Sequence, residues 1–198
     1  MATISLGFQF SSNGFLNLPS SGLLYFQIRY PPMMKQSSRY LNRKFHLEDY
    51  LFQAFEVGQS DTYNTTVLHI PCLELVITGD AVYGECFQYL VETNTGEIRA
   101  EWIRAVDKIE SLRPKIVVPS HKQIWDGYGR DHLENTRQYI KNWEILLEVT
   151  TSAEDLKEKI TALYAQRVGV WILGISINEV FPNQNSVKGR DFFPAPMM

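Results

Sequence analysis

Two short apolar runs, Thr65 to Ile70 and Leu73 to Thr78, constrain this chain most. They are rich in β-branched residues and separated by Pro71-Cys72, which is how adjacent buried strands read. The second run ends in Gly79-Asp80, so a carboxylate falls where the chain leaves a strand. A third run, Lys115 to Val118, ends the same way in Pro119-Ser120-His121. Between the second and third runs, Ile98, Trp102, Ala105, Val106, Ile109 and Leu112 recur at helical spacing, and Pro114 stops the pattern. Strand, helix, strand delivers an aspartate and a histidine at the ends of two strands joined by a helix. Such positions are rigid at the base and open to ligand beyond it.

An aspartate and a histidine delivered there can converge on one cation, since both are good ligands for zinc. Together with Gly58-Gln59-Ser60-Asp61-Thr62 ahead of the first strand, the ordered set resembles the C-terminal half of a metallo-β-lactamase-superfamily hydrolase, over about Phe45 to Tyr164. The resemblance implies an α/β fold that is part of an αββα sandwich, a mixed β-sheet flanked by helices. It implies one or two zinc ions, with Asp80 as the bridging aspartate and His121 as the last histidine ligand. It also implies hydrolysis of an ester, thioester or lactam bond in a small-molecule substrate by metal-activated water.

The chain departs from that pattern in two places. Nothing upstream of Gly58 matches the family's first metal motif, His-x-His-x-Asp-His, for His46 has no histidine two residues away. Gln59 stands where the turn's histidine belongs, and an amide oxygen is a poor zinc ligand. The metal site expected from the sequence is therefore Asp80 and His121 alone, with no catalytic residue assigned. Two readings stay open: a shortened metal-dependent hydrolase, and a non-catalytic remnant that keeps the fold for binding. Loss of half a sandwich would uncover sheet surface, so self-association is expected.

Other candidates read more plainly. Asp61 suits a turn cap better than a ligand, its carboxylate bonding the amides that follow. His69, in mid-strand, reads as a hydrogen-bonded core or interface group. Tyr83, Phe87 and Tyr89 read as a cover for the sheet, with a pocket lining as the alternative. Glu101, Arg104, Asp107, Lys108 and Glu110 read as a solvated helix face. Ser120 lacks the flanking glycines of a nucleophile elbow.

Composition bounds the rest. The 198 residues, with 21% charged and a net charge of −3, suit one soluble domain and give no argument for nucleic acid or membrane binding. No apolar run approaches the roughly twenty residues that cross a bilayer. Cys72 and Cys86 read as reduced thiols in an intracellular, cytoplasmic protein.

The expected layout is an irregular extension over 1–42, the partial metallo-β-lactamase-like domain over 43–181 and a loose tail over 182–198. Within the extension the aromatic content of Leu23 to Tyr30 allows an edge strand. Within the domain, Phe45 and Leu47 lead through a Glu48-Asp49 turn to a strand at Leu51 to Val57. A helix is expected over Asp131 to Val149 and a third from a Ser152 cap to about Gln166, while the apolar Val168 to Ile177 reads as a final helix packed on the core or a surface seeking a partner.

Overall fold

A computed structural model describes residues 43–182. The 1–42 extension, its expected edge strand and the tail beyond Pro182 lie outside the described residues. The described chain builds one five-stranded sheet in sequential order. Strand β1 (Lys44–Leu47) turns at Glu48-Asp49 into β2 (Tyr50–Gly58), which pairs antiparallel with β3 (Thr65–Ile70). A 3₁₀ turn at Pro71–Leu73 reverses the chain into β4 (Leu75–Gly79), again antiparallel. Helix α1 (Gly96–Ser111) then crosses to β5 (Ile116–Pro119), which pairs parallel with β4. Helices α2 (Asp131–Val149), α3 (Ala153–Leu163) and α4 (Val170–Val180) complete it. The fold is α/β with a mixed sheet, as the sequence implies.

The differences from the sequence reading lie at element ends. The second apolar run starts as a strand at Leu75, not Leu73, because Pro71 has no N–H to give the ladder and seeds a tight turn instead. Glu74 closes that turn in the left-handed region and donates its N–H to the Pro71 carbonyl. Ser152 does cap α3, accepting from the Asp155 N–H, but the helix stops at Leu163 rather than Gln166. There the chain turns so that Arg167 can lay its guanidinium over the rings of Tyr139 and Tyr164, 4.8 Å from each. The last helix starts at Val170, two residues later than expected, after Gly169 in the left-handed region.

Alternation sorts the sheet into two faces. Val57, Val67, Val76 and Val117 point towards α1 and α2, where Trp102, Val106, Ile109, Tyr139, Ile140 and Trp143 form a fully buried core. The opposite face carries the cross-strand rows Ile70–Leu75–Ile116 and Ala54–Leu68–Ile77–Val118. Charged residues of α1 are less free than expected. Arg104 pairs with Glu101 on the surface, but Arg137 of α2 bonds Asp107, Glu110 and Glu134, and Lys108 reaches the Val57 carbonyl. Arg99, unremarked in the sequence, is buried against Glu144 and the Thr93 carbonyl.

Candidate functional site

The parallel pairing of β4 and β5 builds the site. Thr78 Oγ1 donates to the Val118 carbonyl at 3.1 Å and the Ser120 N–H to the Gly79 carbonyl at 3.1 Å, so both strands end side by side. The β4 register shifts between Ile77 and Gly79, and Gly79 has φ +55°, a conformation most side chains resist. That bulge turns Asp80 out of the sheet at its rim. Just beyond, the Gly84 N–H donates to the His121 carbonyl at 2.8 Å. A Cβ on Gly84 would lie 3.0 Å from the Lys122 Cα and 2.6 Å from the Asp126 carboxylate, so only glycine lets these loops touch.

The structure brings Asp80 and His121 together. Nε2 of His121 lies 3.3 Å from Oδ1 of Asp80, with the side chains 56% and 47% exposed. Behind them lies a pair that the sequence did not announce. Tyr83, buried, stacks its ring on the His121 imidazole, centroids 5.2 Å apart and planes 25° apart. Its hydroxyl donates to Oδ2 of Asp61 at 3.2 Å.

Asp61 is therefore more than the turn cap expected of it. The Thr62 backbone beside it does favour the ionised carboxylate, as a cap's amide would. But Oδ1 also accepts from Ser60 Oγ at 3.0 Å, and the residue is only 4% exposed. Burial, with the nearby Asp80 charge adding to it, pushes the Asp61 carboxyl up to about 6, against the pull of its hydrogen bonds. Burial likewise pushes the Tyr83 phenol well above its ordinary value, so it remains a donor at neutral pH.

Tyr83 and Phe87 are buried in the core rather than lining an open pocket. His69 packs on Phe55 at 5.9 Å, and its Nδ1 is buried without the hydrogen bond expected of it. Burial pulls the His69 imidazole down, favouring the neutral form. His46 is exposed on β1, and His132 bonds the Gly127 carbonyl at 2.8 Å. Gln59 donates through Nε2 to the Ser60 carbonyl, while its Oε1 is buried without a partner.

The donor set tests the implied zinc directly. The chain holds 4 histidines, all named above, and beyond the described residues the only acidic side chain is Asp191. Among the described residues no group of three or more His, Cys, Asp or Glu side chains could hold a metal ion. Even a catalytic zinc takes about three protein ligands. Asp80 and His121 are two, and Asp61 faces Tyr83 and Ser60. The donors among the described residues do not fit a complete zinc site.

No family model and no curated protein sequence matches the chain. Its likeness is to metallo-β-lactamase structures. One from Pontibacter korlensis is 17% identical with a TM-score of 0.44, over 52% of this chain and 47% of that one. A metallo-β-lactamase family protein from Thermus thermophilus is 12% identical with a TM-score of 0.49, over 70% and 46%. The metallo-β-lactamase FIM-1 from Pseudomonas aeruginosa, solved in a mono-zinc form, is 21% identical with a TM-score of 0.39, over 52% and 44%. This chain spans less than half the length of each. No helix among the described residues is long and apolar enough to cross a membrane.

Proposed function

We propose that the chain is a metallo-β-lactamase-like domain that presents two donors of a hydrolase metal site, Asp80 and His121, and that by itself it binds rather than turns over substrate. The observation that carries the reading is their meeting at 3.3 Å on the ends of parallel neighbours β4 and β5. A complete site of this kind would add further ligands to Asp80 and His121, and the chemistry such a metal would supply is activation of water for hydrolysis of an ester, thioester or lactam bond. Here Gln59 and the shortage of histidines leave that set unfilled, so the domain's own contribution stops at two side chains.

Zinc titration of the purified chain, run with an ester and a thioester probe, tests this. The expected result is less than one tightly held ion per chain and no zinc-dependent turnover. The weak binding that is seen should vanish in both Asp80→Ala and His121→Ala. One tightly held ion per chain, or probe turnover that both substitutions abolish, would replace the binding reading with that of a working hydrolase. Weak binding indifferent to both substitutions would remove Asp80 and His121 from the site.

A further inference from the structure

We propose that Tyr83 and Asp61 are positioning residues for the Asp80–His121 pair, fixing the imidazole by a buried phenol–carboxylate strut in place of a metal ion. The inference rests on the reading of that pair as the functional part of the domain.

The strut has a chain of causes. Trp102 Nε1 donates to the Ala81 carbonyl at 2.8 Å, and the Tyr83 N–H donates to Thr136 Oγ1 at 3.0 Å, so the backbone either side of Val82 is tied to α1 and α2. The Tyr83 ring leaves that fixed base with Trp102 at its edge, 6.0 Å between centroids. Its far end is tied by the 3.2 Å bond to Asp61. Asp61 is held in turn by Ser60, whose hydroxyl also lies 2.6 Å from Thr65 Oγ1 at the start of β3. A hydrogen bond to a carboxylate in a site with little water is stronger than the same bond at the surface. The ring is thus pinned at both ends. One face of it is what the His121 imidazole rests on, in the stacked arrangement that ring quadrupoles favour.

His121 needs such a support. Its backbone is fixed by the Gly84 N–H, but its side chain is half exposed, and a solvent-exposed contact with Asp80 is too weak to hold a ring in one rotamer. A metal-bound histidine is oriented by the metal and by a partner on its second nitrogen. This imidazole has the Tyr83 ring and the Asp80 carboxylate instead.

Side-chain NMR of the full chain in a chelating buffer tests the strut without any metal. In the native protein the His121 ring protons should show a single set of lines, displaced by the Tyr83 ring current, with an Overhauser effect between the two rings. Tyr83→Phe, which removes one oxygen, should lose the Overhauser effect and move the His121 lines towards free-imidazole positions. Asp61→Leu should do the same, whereas Asp61→Asn, which still offers an oxygen to the phenol, should keep both signals. The indole N–H lines of Trp102 and Trp143 report the fold in every variant. If Tyr83→Phe disturbs them, the Asp61→Asn and Asp61→Leu pair decides by the same criterion. An imidazole that keeps its contact in Tyr83→Phe and Asp61→Leu, or one ordered in the native chain only after zinc is added, overturns the proposal. The zinc titration above, made on the native chain, judges the functional reading separately.

Discussion

Two carboxylates stand at the open end of this sheet, each beside an aromatic ring that can donate a proton, and their surroundings give them opposite properties. Asp61 is buried, accepts from Tyr83 and Ser60, and has its carboxyl pushed up to about 6. Asp80 is half exposed and meets His121 at 3.3 Å. The inner pair is dear to form and hard to leave; the outer pair is weakly held and open to ligand. Burial, more than proximity, decides which pair gives rigidity and which gives reach. A site that must present a donor to solvent without letting it wander benefits from having both.

The largest effect should come from removing what the two pairs share. Trp102 is fully buried and its indole N–H holds the Ala81 carbonyl, between Asp80 and Tyr83. Trp102→Ala should cost about 3–5 kcal/mol, the range for deleting a buried aromatic side chain. The Asp80–His121 contact and the Tyr83–Asp61 bond should fail together. A loss below about 1 kcal/mol in urea unfolding would mean that α1 does not carry the loop, against the usual cost of such a cavity.

The second test separates the two pairs by pH. Because the Asp61 carboxyl is raised on folding from 3.8 to about 6, the native state holds its proton more tightly than the unfolded chain does. The associated stability is fully present below pH 3.8 and is lost as pH rises through about 6. Asp61→Asn removes that dependence. Its advantage over the native chain should be near zero at pH 3.8 and below and grow to a plateau above about 6. With about 1.4 kcal/mol per pKa unit, the ceiling is about 3 kcal/mol, reduced by whatever the new amide N–H groups leave unbonded. Urea unfolding of both proteins across that window measures it. An advantage that shrinks as pH rises would show that the ionised form is the favoured one.

The contrast also explains what could be read from the chain. Asp80 and His121 were legible because each follows a β-branched run at a breaker, a local signal that needs no knowledge of the fold. The helix between them was legible for the same reason. Tyr83 and Asp61 lie 22 residues apart with a strand, a turn and a second strand between them, and no periodicity links them. Asp61 did show the small polar neighbours of a cap, but nothing local reveals that Tyr83 will close over it. Arg99 and Arg137 were missed alike: Glu144 for the first, and Asp107 and Glu110 for the second, sit on the other helix, so only the packing of α1 on α2 brings these partners together. Element ends moved by two or three residues wherever a Pro, a left-handed residue or the Arg167 cation–π contact overrode the apolar pattern.

The smallest effect should belong to the outer pair, and it is the sharpest check on the comparison. Both partners are about half exposed, so water competes for each of them and a surface contact of this kind is worth little. Losing the pair should therefore cost under about 1 kcal/mol. His121→Gln keeps a polar group of similar reach but gives Tyr83 no ring to stack on, so the loss is that of the surface contact plus one exposed stacking contact. The native chain and His121→Gln should have nearly the same urea midpoint. A fall of 2 kcal/mol or more, on the order of a buried-pair loss, would place Asp80 and His121 in the same class as Tyr83 and Asp61. The outer pair would then be part of the fold's structure rather than a pair of donors held out to solvent.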